Sequence, residues 1–349
     1  MFKKLSTILG LFVLILGLVG CGKTAEAPAE EAAPAEAEKL KVALIIAQGG
    51  LGDRSYNDLA YSGLERAAAE YGVEIKAIES ADPVGEGEQL LRTAAESGFD
   101  LVITLEYSHF DPLARVAPDY PDTLFSIVNI DVDQPNVVSI LYKEQEGSFL
   151  AGALSAMVTT MEGNDKVNPD KVLGMIGGVQ SAGIDKFLVG FEEGALYIDP
   201  EIEVLQAYSE GFGDPAKGKE LTLAMYEQGA DIVFQVAGGT GAGVFDAAEE
   251  KSHYAVGVDS DQDYIKPGFI LTSMLKKVDN AVFDVVSRLV DGSLTGGTII
   301  EYGLIEDGVD LSPMEYTKDE IPQAFLDRVA ELKAMIENGE IKVTDITKE

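Results

Sequence analysis

The sequence predicts an α/β fold of two doubly wound, parallel-sheet domains, and three observations carry that prediction. Past residue 40, short β-branched apolar runs alternate with amphipathic helical stretches, the pattern of βαβ units. The alternation runs twice, once as far as Tyr142 and again from about Glu146. Glycines and polar residues gather just after the apolar runs, at the strand ends where open α/β sheets hold ligands. Two such sets of strand ends facing one another would enclose a cleft.

The opening MFKKLSTILGLFVLILGLVGCGK places two lysines before an apolar run from Leu9 to Val19 and ends that run in LVGC. This pattern predicts a lipoprotein signal peptide over residues 1–20 and lipid attachment at Cys21, the only cysteine in the chain. A short anchor helix or a plain cleaved signal is the alternative. Residues 21–40 read as a disordered tether, because 22–39 are rich in Ala, Glu and Pro and lack large apolar side chains.

In the first half, KVALIIA, VEIKAIES, DLVITLE, LFSIVNID and VVSILY read as strands. Helices are expected from Ser55 to Tyr71, from about Glu86 to Ser97 and from about Phe110 to Asp119, with Ser55 and Asp58 spaced as a capping box. The second half has a helix in GSFLAGALSAMV, then the strand KVLGMIGG, the helix Asp185 to Tyr197 and the strand EIEVLQAYS. The helix Pro215 to Gln228, the strand DIVFQVAG, the helix Gly241 to Lys251 and the strand HYAVGVD follow. FILTSML, a helix from Val278 to Val290, TIIEYGLIED and a charged helix near Glu320 to Ile336 complete the chain.

Sixty acidic against 26 basic residues give a net charge of -34, which repels nucleic acid and anionic headgroups. A single cysteine excludes disulfides within the chain and thiolate metal clusters. The two histidines, His109 and His253, stand in no recognisable motif, and no G-x-S-x-G, Walker A or H-E-x-x-H pattern occurs. No enzyme, cofactor or metal is therefore expected; the acidic turn DSDQD, Asp259 to Asp263, is the one hydrolase candidate and reads as a solvated turn. The Gly-rich VAGGTGAG misses dinucleotide spacing because Val244 takes the last glycine's place, leaving a ligand-binding helix start or a tight turn.

GGLGDRSYN, NIDVD, LYKEQEGSFLAGALSAM, MIGGVQSAGIDKFLVGFEEGA, AYSEGFGDPAKGKE, GADIVFQVAGGTGAGVF, VGVDSDQ and LTSMLKKVDNAV, in this order, resemble the basic membrane protein family of substrate-binding lipoproteins, which includes purine nucleoside receptors of ABC transporters. The resemblance implies a type I periplasmic-binding-protein fold with an interdomain ligand cleft and a hinge of three crossings, near Tyr142, Asp259 and Ile300. It places 41–142 with 260–298 in the first lobe and 143–259 with 299–349 in the second. It implies stacking of a base between Tyr56 and Phe212, base-edge contacts from Asn57 and Asp131, and ribose contacts from Asp259, Lys276 and the backbone at Gly238 or Gly239. Stacking tolerates Tyr for Phe. Read without the resemblance, Tyr56 and Phe212 are packing aromatics, Asn57 a helix-start residue, Asp131 a turn former, and Asp259 with Lys276 a hinge ion pair.

One departure is visible: many family members carry an Asp where this chain has Ala47, and Gln48 would point the other way from a strand. EYSHFD after the third strand also departs from the family pattern and brings Glu106, Tyr107 and His109 near the cleft mouth. The function implied is a lipid-anchored protein on the outer face of the cell membrane that captures a nucleoside, a purine one foremost, and hands it to an ABC permease. The same fold binding a sugar, a furanosyl signal molecule or another small metabolite is the alternative, as is a sensor ectodomain.

Overall fold

The computed structural model describes residues 39–348. The signal peptide over 1–20, Cys21 and most of the tether lie outside the described residues, in which no helix is long and apolar enough to cross a membrane. In chain order the elements are β1 (Lys41–Ile45), α1 (Tyr56–Tyr71), β2 (Glu74–Ile78), α2 (Gly87–Glu96), β3 (Leu101–Thr104), α3 (Phe110–Val116), β4 (Leu124–Val128) and β5 (Val137–Tyr142). Then come α4 (Glu144–Thr159), β6 (Val172–Gly177), α5 (Ala182–Ile198), β7 (Glu203–Tyr208), α6 (Pro215–Glu227), β8 (Ala230–Val236), α7 (Gly241–Lys251) and β9 (Tyr254–Asp259). The chain closes with β10 (Ile270–Lys276), α8 (Val278–Asp291), β11 (Thr298–Tyr302), β12 (Val309–Leu311) and α9 (Gln323–Glu337).

Two six-stranded sheets result, in the orders β11-β5-β4-β3-β1-β2 and β12-β10-β9-β8-β6-β7. Central strands such as β1 and β6 are buried on both faces, which is why they read as near-continuous apolar runs. Every pairing is parallel except that of β12 with β10. The expected strand TIIEYGLIED is in fact two: β11 ends at Tyr302, and the chain turns through Gly303 to Gly308 into β12 of the other sheet.

The sheet memberships correct the expected lobes. Segment 260–298 was expected to lie wholly in the first lobe, but β10 lies beside β9 in the second sheet and only α8 returns to the first; residues 299–302, expected in the second lobe, belong to β11, beside β5 in the first sheet. The middle crossing follows Lys276 and not Asp259. A fully buried strand has no polar face to tell which sheet it joins, so its placement escaped the sequence pattern. The crossing segments lie side by side: Lys143 N donates to Tyr302 O at 2.9 Å, Tyr142 Oη to Lys277 O at 3.2 Å, and the rings of Tyr142 and Tyr302 stack at 5.4 Å. Beyond them α4 is buried at every position but Glu146, packed so tightly on α5 that a Cβ at Gly152 would strike the Phe191 carbonyl.

Candidate functional site

A cavity of about 320 Å³ lies where the carboxyl ends of the two sheets meet. Each strand from β1 to β10 contributes a lining residue at or just past its carboxyl end, from Ala47 after β1 to Lys276 at the end of β10. Parallel sheets aim all their strand ends one way, so two sheets set face to face concentrate loop chemistry in one volume.

From the first lobe, the stretch after β1 is folded by its own carboxylates. Asp53 accepts from the backbone N–H groups of Ser55 (2.9 Å), Asn57 (2.9 Å) and Asp58 (3.2 Å), which are the otherwise unpaired donors at the start of α1. Asp58 in turn accepts from Gly52 N (2.7 Å) and Arg54 N (2.9 Å). The expected capping box is thus replaced. Ser55 is the N-cap position without a side-chain cap bond, and its hydroxyl donates instead to Asp259 Oδ2 of the second lobe at 2.5 Å. Arg54 O accepts from Ser260 Oγ and Gln262 Nε2, both at 3.0 Å, so three hydrogen bonds join this loop to the far lobe.

Tyr56 lines the cavity; its hydroxyl donates to Leu105 O (3.2 Å) and accepts from Asn129 Nδ2 (3.1 Å). Burial, with Asp259, Glu106 and Glu144 nearby, raises its pKa well above the usual phenol value. Asn57 also lines the cavity, but its amide is engaged with the loop: Oδ1 accepts from Ala47 N (3.0 Å) and Nδ2 donates to Gln48 O (3.3 Å). Gln48 lines the cavity as well, because β1 ends at Ile45 and strand alternation no longer governs residue 48.

Phe212, from the second lobe, lines the cavity with its ring over Gly178. Its backbone is wedged between Gly49 of the first lobe and Gly238 and Gly239 of the second; a Cβ on any of the three would come within 3.3 Å of Phe212 O. Gly49 and Gly238 have φ of +98° and +54°, so the tight turn and the close approach both require glycine there. Gly238 lines the cavity, while Gly239 stands behind it.

Asp259 ends β9 and is 7% exposed; burial pushes its carboxyl up to about 6 against the pull of Lys276 and the Ser55 hydroxyl. Lys276 ends β10, 3% exposed, but forms no ion pair with Asp259. Its ammonium pairs with Glu144 Oε1 at 2.8 Å, donates to Asn129 Oδ1 at 2.6 Å, and lies 5.0 to 5.6 Å from the ring centres of Tyr142, Tyr56 and Phe187. Glu144 is shared with Lys186 (2.8 Å); burial would raise its pKa, but the two lysines outweigh it and hold it below the usual range. This triad at the hinge crossings, Glu144 between two lysines, escaped sequence reasoning. Only a buried acid at the start of an otherwise apolar helix hinted at it.

Asp131 is exposed and outside the cavity; within NIDVD it is Asn129, at φ +77°, that enters. Glu106 and Tyr107 line the cavity as expected, whereas His109 is fully buried behind it, bonded to Thr104 Oγ1 and Pro83 O, both at 2.7 Å. The turn DSDQD is not solvated as expected: past Asp259, Gln262 and Asp263 are buried, and Asp263 accepts from Ser273 Oγ and Ser312 Oγ at 2.7 Å each.

Comparison with known proteins bears on this geometry. Residues 39–347 match the family model described as Bmp, ABC transporter substrate-binding protein, PnrA-like. The chain is 32% identical to the CD4+ T-cell-stimulating antigen of Listeria innocua, over 98% of this chain and 99% of the relative. It is 33% identical to the ABC transporter nucleoside-binding protein BmpA of Lactococcus lactis, over 87% and 89%. An uncharacterised lipoprotein of Pyrococcus abyssi is 32% identical, over 87% and 75%. Among solved structures, an ABC transporter solute-binding protein of Aeropyrum pernix superposes with a TM-score of 0.81 at 29% identity, covering 87% of this chain and 92% of that one. The matched family is one of ABC transporter substrate-binding proteins, which are not enzymes, in keeping with the two-lobed type I periplasmic-binding fold and its central cavity. The chain belongs to the Bmp family of ABC transporter substrate-binding proteins.

Proposed function

We propose that the protein is a lipid-anchored extracytoplasmic receptor that encloses a purine nucleoside and delivers it to an ABC permease. The observation that carries this reading is the pair Tyr56 and Phe212, one aromatic from each lobe on a single cavity, beside a buried Asp259. The cavity falls in the usual volume range of small-ligand sites. Base stacking contributes about 1 to 3 kcal/mol per aromatic without demanding a particular base.

Asp259 supports the sugar contact. Its Oδ2 is taken by Ser55, and its Oδ1 makes no hydrogen bond to another described residue, leaving an acceptor for a ribose hydroxyl. Lys276 has two of its three protons committed, to Glu144 and Asn129, and one to give. The Lactococcus relative named as nucleoside-binding supports the ligand class. LVGC at Cys21 and the relatives named lipoproteins support the anchor.

A thermal-shift screen of nucleosides tests the reading, since a ligand at a hundred times its dissociation constant stabilises by about 2.7 kcal/mol. Cys21→Ala is expected to leave binding intact and release the protein from the membrane fraction. A second reading, a sugar or other small metabolite, is favoured by Ala47, which lines the cavity without a carboxylate. A screen in which sugars stabilise and nucleosides do not would select it.

A further inference from the structure

We infer that Glu106 is the residue that selects the ligand's heterocycle, accepting a hydrogen bond from an N–H on the base edge and so favouring donor-bearing bases. The inference rests on the nucleoside reading and concerns a residue outside the expected set of ligand contacts.

Glu106 is 4% exposed, lines the cavity, and forms no ion pair among the described residues. Its position is fixed by three donors: Gln48 N to Oε2 (3.0 Å), and Ser108 N (3.2 Å) and Ser108 Oγ (2.9 Å) to Oε1. A carboxylate offers about four acceptor positions, so one on Oε2 remains. A buried acceptor facing a cavity is costly when unfilled, and the ligand is the group that enters this cavity.

Tyr56 sets the direction. Its backbone neighbour Ser55 is bonded to Asp259, while its hydroxyl is bonded to the carbonyl of Leu105, next to Glu106. The Tyr56 ring thus spans from the Asp259 side to the Glu106 side. A base lying on that ring with its sugar at Asp259 turns its far edge to Glu106. Two other polar groups on that wall are committed elsewhere, Asn57 to the loop at 47 and 48, and Asn129 to Tyr56 and Lys276. With Asp53, Glu106, Glu144 and Asp259 around it, and Lys276 paired to Glu144, the cavity suits a ligand with donors at both ends and no phosphate.

Calorimetric titration of the wild type, Glu106→Gln and Glu106→Asp with guanosine, adenosine and unsubstituted purine riboside tests this. Purine riboside has the same ring and sugar but no edge N–H. The wild type is expected to bind the better of guanosine and adenosine about ten- to a hundredfold tighter than purine riboside, the worth of one hydrogen bond to a charged acceptor. In both variants that gap is expected to collapse towards unity, with ligand-free melting measured alongside. Glu106→Asp keeps the charge and withdraws it by one methylene, so it carries the test if Glu106→Gln, which sets an N–H against Gln48 N–H, does not fold. A wild type that binds all three alike, or a gap that survives in the variants, overturns the inference and leaves the nucleoside reading standing. A wild type that binds none of the three overturns that reading and the inference with it.

Discussion

Ser55 and Ser181 occupy matching places in the two lobes. β1 and β6 hold the same position in their sheets, and each feeds a helix whose N-cap is one of these serines. Ser181 does the ordinary work, its hydroxyl accepting from Ile184 N at 3.4 Å to cap α5. Ser55 does not cap: Asp53 takes the free N–H groups of α1, and the Ser55 hydroxyl crosses the cleft to Asp259. The same topological position stabilises a helix in one lobe and joins the lobes over the cavity in the other. Where a local rule fails at such a position, a second residue has taken over the local task, and the freed group serves the site.

The comparison separates groups that hold the fold from groups that hold the ligand, and variants can break it. Lys276→Met is expected to have the largest effect. Removing one member of a buried charge triad destabilises by about 3 to 5 kcal/mol, measurable by denaturant unfolding, and nucleoside binding falls with it. Tyr56→Ala and Phe212→Ala are expected to weaken nucleoside binding by about 1 to 3 kcal/mol each in calorimetry. Tyr56→Phe preserves stacking but loses the bonds to Leu105 and Asn129, so a stability loss of about 1 kcal/mol replaces the silence that stacking alone implies.

The serines give the sharpest contrast. Asp53→Ala and Ser181→Ala are each expected to destabilise the ligand-free protein by about 0.5 to 2 kcal/mol, the range for a lost cap. Ser55→Ala is expected to spare ligand-free melting and instead weaken nucleoside binding. Equal melting losses in Ser55→Ala and Ser181→Ala would remove the distinction. Smallest of all, Asp131→Asn is expected to change binding and stability by less than about 0.5 kcal/mol, as an exposed residue outside the cavity.

Acidity adds a further check. Burial raises Asp259 and Asp263 to about 6 and Asp231 to about 7, so the folded state holds protons that the unfolded chain has released above its own carboxylate range. Stability from these groups therefore falls as pH rises from about 4 to about 7, and unfolding midpoints are expected to rise on acidification from pH 7.5 to about 5. Below that, protonation of carboxylates held low, Glu144 among them, reverses the trend.

Most of the fold was legible because the alternation of buried strand and amphipathic helix is local. The entry of Tyr56, Phe212, Asp259 and Lys276 into one cavity followed from the resemblance together with the strand-end rule. The rest depended on contacts distant in sequence. Glu144 and Lys276 are 132 positions apart and meet only because β5 and β10 both end at the hinge. Asn129 rather than Asp131 enters the cavity because a left-handed residue directly follows β4, a backbone feature that composition does not mark for a non-glycine. Asp53 outcompeted the Ser55 and Asp58 pattern for the cap because the loop curls back on itself, and no spacing rule encodes that.

The central claim, that the two lobes enclose a purine nucleoside between Tyr56 and Phe212, is tested most directly by calorimetric titration of the wild type and Phe212→Ala with guanosine, adenosine, inosine, their 2'-deoxy forms and free ribose. Saturable one-to-one binding of at least one purine ribonucleoside is expected, with weaker binding of its deoxy form, none of ribose, and a loss of about 1 to 3 kcal/mol in Phe212→Ala. Binding of ribose without any nucleoside, or nucleoside affinity unchanged in Phe212→Ala, would contradict it.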